Sequence, residues 1–286
     1  MIAEISVNVF RFDPSSDNAP RYDSYTIPYT EKMRVLDALE RIRCELKVSD
    51  IAYRWFCGSK KCGTCGLTLN GRPSLSCWEA AQDKMVLEPL ANFPILRDLV
   101  IDIDGYEKLV LDLYPFMKRS GPVPKFPERI SHDRMEQTDL LQSCFECYLC
   151  SSAVSVAGIS SDGPIWDTHG PAALTKFARF SLDPRDGIDR AQLADKSGLA
   201  RFPLDPVLSS VCPQGIDLLQ DAILPLRRKF GIENSAPAAV TSKAVFIKAK
   251  TWSAFVRLPL TTLESMRTDG KLTSIPGREA QFVFSA

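Results

Sequence analysis

Polar and apolar residues alternate through part of Ile2 to Arg11, where Ile5, Val7, Val9 and Phe10 stand among polar neighbours, and this period of two predicts a strand. Arg21 to Tyr29 reads as its hairpin partner, across a turn-rich loop that contains Asp13-Pro-Ser-Ser-Asp17. The period then changes. Val35, Leu36, Leu39, Ile42 and Leu46 recur at three- and four-residue steps and predict an amphipathic helix over Met33 to Leu46. A short strand at Leu67 to Leu69, a turn at Asn70-Gly71 and a strand at Met85 to Leu90 follow. Strands around one helix make a small α+β domain, which we place at residues 1–105.

Residues 92–120 form a bridge that begins at Asn92-Phe-Pro94 and includes the acidic and apolar segment Asp98 to Asp104. Beyond it the pattern turns helical, most clearly at Met135 to Cys144, Pro171 to Phe180 and Ile216 to Phe230, which defines a second domain at residues 106–231. Residues 232–286 hold β-prone runs such as Val245-Phe-Ile247 and Trp252 to Leu258, and form a C-terminal extension that no motif explains.

Charge narrows the function classes. The 286 residues carry 35 Lys+Arg against 35 Asp+Glu, so no electrostatic excess draws the chain to nucleic acid or anionic lipid. Apolar stretches such as Leu99 to Ile101 or Lys243 to Val256 are short or broken by charge, so none spans a bilayer. The start, Met1-Ile2-Ala3-Glu4, lacks a basic region followed by an apolar one. The expectation is a cytoplasmic protein, or one peripheral on the cytoplasmic membrane face, whose membrane contact comes through partners.

Nine cysteines give the chain its chemistry, because eight fall into spaced sets. Cys57, Cys62, Cys65 and Cys77 follow the C-x4-C-x2-C…C spacing of a plant-type [2Fe-2S] cluster, whose irons need four thiolates to complete their tetrahedra. Gly58, Gly63 and Gly66 suit a loop that passes close to sulfides or takes positive φ. The alternatives are a disulfide pair, which a reducing compartment disfavours, and a zinc site, which more often uses two separated C-x2-C pairs. Cys144, Cys147 and Cys150, with a remote Cys212-Pro213, suit a [4Fe-4S] cubane; structural zinc is the alternative. Cys44 falls on the far side of the helix from its apolar stripe and reads as a small packing residue at a domain contact.

A plant-type [2Fe-2S] segment followed by a helical segment with a bacterial-type cysteine run resembles the iron–sulfur subunit of the succinate dehydrogenase/fumarate reductase family. The resemblance covers roughly residues 1–230. It includes Asp98-Leu-Val-Ile-Asp102, Gly170-Pro-Ala-Ala-Leu174 with Arg179, Asp183 and Arg185-Asp186, and Cys212-Pro-Gln-Gly215. It implies an N-terminal β-grasp [2Fe-2S] ferredoxin-like domain, an all-helical [4Fe-4S] ferredoxin-like domain and the extension, an α+β protein overall. It also implies FAD on a partner subunit and three clusters, the third a [3Fe-4S] beside a quinone. The cysteines of that third cluster would fall at Val154, Phe202 and Leu208, all apolar here. The neighbouring positions, Ser155, the Gly158-Ile159 region and Pro203, also depart from the family's Pro, Trp and His.

The expectation is therefore a two-cluster electron-transfer subunit with no [3Fe-4S] and no usual quinone site. Cys57, Cys62, Cys65 and Cys77 would hold one cluster, and Cys144, Cys147, Cys150 and Cys212 the other. Its partners would be an FAD-binding flavoprotein subunit and a further redox subunit or soluble carrier. The alternatives are a membrane complex II with a modified route to quinone and a non-catalytic, cluster-bearing interaction protein. Lys60 and Lys61, inside the first cysteine loop, would raise that cluster's potential or stand simply as solvated lysines. His132 and His169 read as surface or capping residues, and Trp55, Trp78, Trp166 and Trp252 as packing. No nucleotide fingerprint is evident, so the flavin belongs to another chain.

Overall fold

The computed structural model describes residues 4–154, 158–160, 163–165, 169–236, 272–275 and 278–284. Contacts divide the chain into two units, the first made of Met1–Ile103, Ser155–Ile165 and Ala244–Ala286 and the second of Asp104–Val154 and Trp166–Lys243.

In the first unit, β1 (Glu4–Arg11) pairs antiparallel with β2 (Arg21–Pro28) from Glu4↔Pro28 to Arg11↔Arg21. The alternation is real: Ile5, Val7 and Val9 are all buried. Helix α1 (Val35–Cys44) is shorter than its apolar stripe suggests, and it buries Val35, Leu36, Ala38, Leu39 and Ile42. Leu46 lies beyond its end and is exposed. Strands β3 (Gly66–Leu69), β4 (Arg72–Leu75) and β5 (Lys84–Glu88) complete a five-stranded sheet in the order β2-β1-β5-β3-β4. Because β1 and β5 run parallel, the chain must cross over between them. That crossover contains α1 and the first cysteine loop. Two short strands, β6 (Ile95–Arg97) and β7 (Val100–Ile101), follow as a separate ladder.

A buried arginine ties the end of β1 to the bridge. Arg11 contacts Asp23 at 2.9 Å, Asp50 at 2.5 Å and Asp98 at 3.2 Å. Asp98, only 2% exposed, also accepts the backbone N–H groups of Phe12 at 2.9 Å and Ala52 at 2.8 Å. Removing one partner of such a network leaves charge and donors buried without compensation. Asp98→Ala is expected to cost about 3–5 kcal/mol in chemical denaturation followed by circular dichroism. Asp98→Asn, which keeps an acceptor oxygen, should cost less, and equal losses for the two would contradict this account.

The second unit is built from α2 (Asp104–Leu111), α3 (His132–Gln142), α4 (Leu149–Ala153), α5 (Gly170–Ser181), α6 (Ala191–Lys196) and α7 (Leu224–Lys229). A 3₁₀ turn at Pro206–Ser209 packs against α4, and a π-helical segment, Leu218–Ile223, leads into α7. Pro225 has no N–H to give to the preceding turn, and the helix expected over Ile216 to Phe230 changes its hydrogen bonding just before it. At the centre lies α5, where Ala172, Ala173, Leu174, Phe177 and Ala178 are buried.

One expectation needs correction. The stretch 106–231 is not wholly helical, since β8 (Gly158–Ser160) and β9 (Gly163–Ile165) pair as an antiparallel hairpin within it, and that hairpin groups with the first unit. The bridge over 92–120 contains β6, β7 and α2. Of the extension, residues 232–236 and the antiparallel pair β10 (Leu272–Ile275) and β11 (Arg278–Phe284) are described. Val245 to Ile247, Trp252 to Leu258, Trp166 and Ser155 lie outside the described residues.

Candidate functional site

The first cysteine set is assembled by a hairpin. Leu69 pairs with Arg72 across Asn70-Gly71, whose φ values of 48° and 78° are those of a two-residue type I′ turn. The same register pairs Gly66 with Leu75, and the Ser76 N–H bonds the Cys65 carbonyl at 3.1 Å. Cys65 and Cys77 are thereby held at one end of the hairpin, and both are buried. The preceding loop brings in the other two. Gly58, Lys60 and Gly63 all have left-handed backbone, with φ of 63°, 58° and 71°. Alternating handedness of this kind turns successive N–H groups toward one concavity that favours anions. The N–H groups of Ser59 and Lys61 point at the Cys57 sulfur, at 3.4 Å and 3.3 Å.

Those donors have an electrostatic result. The N–H groups of Ser59 and Lys61 lower the Cys57 thiol to about 6, so it ionises readily. Burial raises Cys77 to about 11, opposed by the Lys60 N–H and reinforced by Cys65 and Cys57. Cys62 in turn acts on Cys57, so all four thiols form one interacting group. Gly58 is required for its positive φ and not for space, since a Cβ there would meet no atom of the chain within 4 Å.

The rim of this loop is aromatic and cationic. Trp55 is 45%, Phe56 81% and Trp78 48% exposed, so Trp55 and Trp78 are not the packing residues expected of them. Lys60 places its Nζ 5.0 Å from the Trp78 ring centroid, and Arg34 its guanidinium carbon 5.5 Å from the same ring. Lys60 is therefore held against an indole and is not a freely solvated charge.

The second set comes from four places in the helical unit. Cys144 follows α3, Cys147 sits between the left-handed residues Glu146 (φ 55°) and Tyr148 (φ 62°), and Cys150 lies in the first turn of α4. Cys212 follows the 3₁₀ turn. Burial raises Cys144 and Cys150 and brings Cys147 up to about 12, and each is raised again by its neighbours, Cys212 among them. Backbone N–H groups of Glu146 and Leu149 oppose this at Cys144 and Cys147. Four thiolates in a half-buried site repel one another, so their ionised forms call for a multiply charged cationic centre, and an iron–sulfur core meets that requirement. Among the described residues no three Cys, His, Asp or Glu side chains are placed to hold a single metal ion. What unites each set in the structure is the mutual interaction of its thiols.

The other residues singled out by sequence take different places. Cys44 is exposed at the end of α1 and packs into no core. His132 is exposed at the start of α3. His169 caps α5 but is buried, with Nε2 4.0 Å from Asp112 and its imidazole pushed toward the neutral form by that burial. Val154, Phe202 and Leu208 are 2%, 1% and 0% exposed, so all three belong to the apolar interior. No helix among the described residues is long and apolar enough to cross a membrane.

A chain with a sheet-based unit and a helical unit, carrying two interacting thiol sets, one in a nest of backbone N–H groups and one among helices, has the makings of an iron–sulfur electron carrier. Residues 6–108 match the model of the 2Fe-2S iron-sulfur cluster binding domain. The chain is 32% identical over 226 residues to the fumarate reductase iron-sulfur subunit of Mycobacterium tuberculosis, covering 76% of this chain and 89% of that one. It is also 32% identical over 233 residues to a fumarate reductase (CoM/CoB) subunit of Methanothermobacter marburgensis, covering 82% of this chain but only 46% of that longer protein. In fold it resembles a chain of the Mycobacterium smegmatis Sdh1 complex in the apo form, with a TM-score of 0.70, 23% identity, and coverage of 84% of this chain and all of that one. The protein belongs to the fumarate reductase/succinate dehydrogenase iron–sulfur subunit family, and its role is electron transfer within an oxidoreductase.

Proposed function

We propose that this chain relays single electrons through two clusters and ends one cluster short of the three that its family resemblance implies. Cys57, Cys62, Cys65 and Cys77 would hold a [2Fe-2S] cluster; Cys144, Cys147, Cys150 and Cys212 would hold a [4Fe-4S] cluster. When bound, these groups supply the one-electron chemistry. The chain supplies thiolates, N–H donors to sulfur and a partly buried setting that set position and potential. Its partner would be a flavoprotein subunit carrying FAD, where an organic acid is oxidised or reduced at a carbon–carbon bond. The similar proteins are fumarate reductase subunits by name, which supports that class of substrate. Nine free thiols suit a reducing compartment, which favours the cytoplasm, with membrane contact through partners.

The observation that carries the two-cluster reading is the burial of Val154, Phe202 and Leu208. Side chains of this kind fill space that a cluster would occupy, and a vacated site left unfilled would cost several kcal/mol as a cavity. Electrons would then pass between the [4Fe-4S] cluster and a soluble carrier or further redox subunit, without the family's quinone site.

The purified holo-protein is expected to contain about six irons per chain. Its complex with the flavoprotein should reduce a soluble dye or ferredoxin-like carrier better than a quinone. An oxidised-state [3Fe-4S] paramagnetic signal in undamaged protein would defeat the two-cluster reading. Co-purification with haem-bearing membrane subunits would favour a membrane complex with a modified quinone route, and failure to find any flavoprotein partner would favour a non-catalytic role.

A further inference from the structure

Two lysines stand side by side in the first cysteine loop, and the fold treats them differently. Lys61 is exposed, whereas Lys60 is half-buried and takes left-handed backbone with φ of 58°. Lysine is seldom found in that conformation, so contacts around it must hold it there. Trp78 supplies one: its ring centroid lies 5.0 Å from the Lys60 Nζ. Trp78 directly follows Cys77, so this contact joins the loop that bears Cys57 and Cys62 to the segment that bears the fourth thiol.

The indole is itself anchored. Arg34, the residue before α1, donates from Nη1 to the Trp78 carbonyl at 2.7 Å and brings its guanidinium carbon within 5.5 Å of the ring centroid. The Val35 N–H bonds the Glu79 carbonyl at 3.0 Å and the Leu36 N–H the Ser76 carbonyl at 2.9 Å, so both flanks of Cys77-Trp78 are tied to the start of the helix. Val35 and Leu36 are buried, which fixes that end of α1 in the core. The contacts thus run from the core through Arg34 and Trp78 to one ammonium, carried two residues before Cys62 and three after Cys57.

We propose that Trp78 is a positioning residue that holds the Lys60 ammonium at the first cysteine loop, where its charge raises the potential of the [2Fe-2S] cluster. The inference rests on the reading that Cys57, Cys62, Cys65 and Cys77 hold that cluster. Reduction adds one negative charge, and a cation kept nearby stabilises the reduced form more than the oxidised one. A lysine that swings freely in water is screened and adds little, whereas an ammonium lodged against an indole keeps its place. Lys60 therefore sets the potential and Lys61 does not. One electron enters from the redox partner, and no bond is made or broken at Lys60 or Trp78.

The test is a redox titration of the full-length holo-protein with dithionite and mediators at fixed ionic strength, followed by electron paramagnetic resonance. Lys60→Asn removes the charge and leaves a residue that tolerates left-handed backbone. It is expected to lower the reduced-to-oxidised ratio of the [2Fe-2S] cluster at a fixed poise by about three- to tenfold, tenfold being about 59 mV for a one-electron couple. Lys61→Gln should leave that ratio within about twofold of wild type. Trp78→Leu should lower it in the same direction as Lys60→Asn but by less, and Trp78→Phe, which keeps an aromatic face, should restore most of it. In a Lys60→Asn background Trp78→Leu should have no further effect, because the two residues act as a unit. The [4Fe-4S] potential, read in the same samples, should stay where it is. A wild-type [2Fe-2S] potential in Lys60→Asn, or equal shifts in Lys60→Asn and Lys61→Gln, overturns the proposal. A Trp78→Leu shift that persists in full in the Lys60→Asn background overturns the positioning role of Trp78. Absence of any two-iron signal from the wild-type holo-protein would instead refute the cluster assignment on which the inference rests.

Discussion

Cys147→Ala is expected to leave the first cluster in place and abolish the second, so that iron falls from about six to about two per chain. Cys147 lies between two left-handed residues, Glu146 and Tyr148, and its thiol interacts with both Cys144 and Cys212. Burial keeps that thiol protonated up to about 12 in the metal-free chain. Ionisation must therefore be driven by the incoming irons, and a set reduced to three thiols has one fewer thiolate to offer them. The [2Fe-2S] signal should persist, because Cys57, Cys62, Cys65 and Cys77 form a separate interacting group in the other unit. Electron flow from the flavoprotein to a dye should fall to background, and thermal stability should drop by whatever the lost cluster contributed. Cys44→Ala is the control: this thiol is exposed and apart from both sets, and its loss should leave about six irons. A Cys147→Ala protein with a full iron content and a normal four-iron signal would show that the second ligand set has been misassigned.

The elements with strong periodicity were legible before the structure, and those whose signal lies in long-range contacts were not. β1 and α1 announce themselves because each buries one face against the sheet or its neighbours. Strand β4 did not, since Arg72-Pro-Ser-Leu75 has little β-propensity; it is tolerated because β4 is the edge of the sheet, where Pro73 need donate no hydrogen bond. Helix α2 buries only Tyr106 and Val110, too few residues to mark a face. In the candidate site the cysteine spacing marked the two sets whose thiols interact in the structure, and the three apolar residues at the positions that the resemblance gives to a third set are what motivate the two-cluster proposal. The donors that tune the sulfurs stayed hidden. Lys60, Glu146 and Tyr148 take left-handed backbone without being glycine, and no sequence rule marks them. Arg190 and Arg227 were invisible for a different reason: arginine is ordinarily read as a surface residue, and these are 2% and 1% exposed.

Arg227 leads to the second large effect, since Arg227→Leu is expected to lower the unfolding free energy by about 3–5 kcal/mol. Its guanidinium donates to the carbonyls of Ala200 at 2.9 Å, Phe202 at 3.0 Å, Leu199 at 3.3 Å and Ser235 at 3.3 Å. No carboxylate among the described residues forms an ion pair with it, and burial alone moves its pKa downward. The charge is compensated instead by carbonyl dipoles and by its place in the last turn of α7, where a cation is favoured. Leucine would leave several buried carbonyls without a donor, each costing roughly 1–3 kcal/mol, and would recover part of that loss as apolar burial. Lysine keeps the charge but is a single point donor that cannot fork across four carbonyls, so Arg227→Lys should fall between wild type and the leucine variant. The segment most affected is residues 199–202, which sets Phe202 into the core ten residues before Cys212. Heating should therefore release the four-iron cluster at a lower temperature in Arg227→Leu than in wild type, while the [2Fe-2S] absorbance melts as before. Equal melting of both signals in variant and wild type would mean that the carbonyl clamp does not hold this part of the fold.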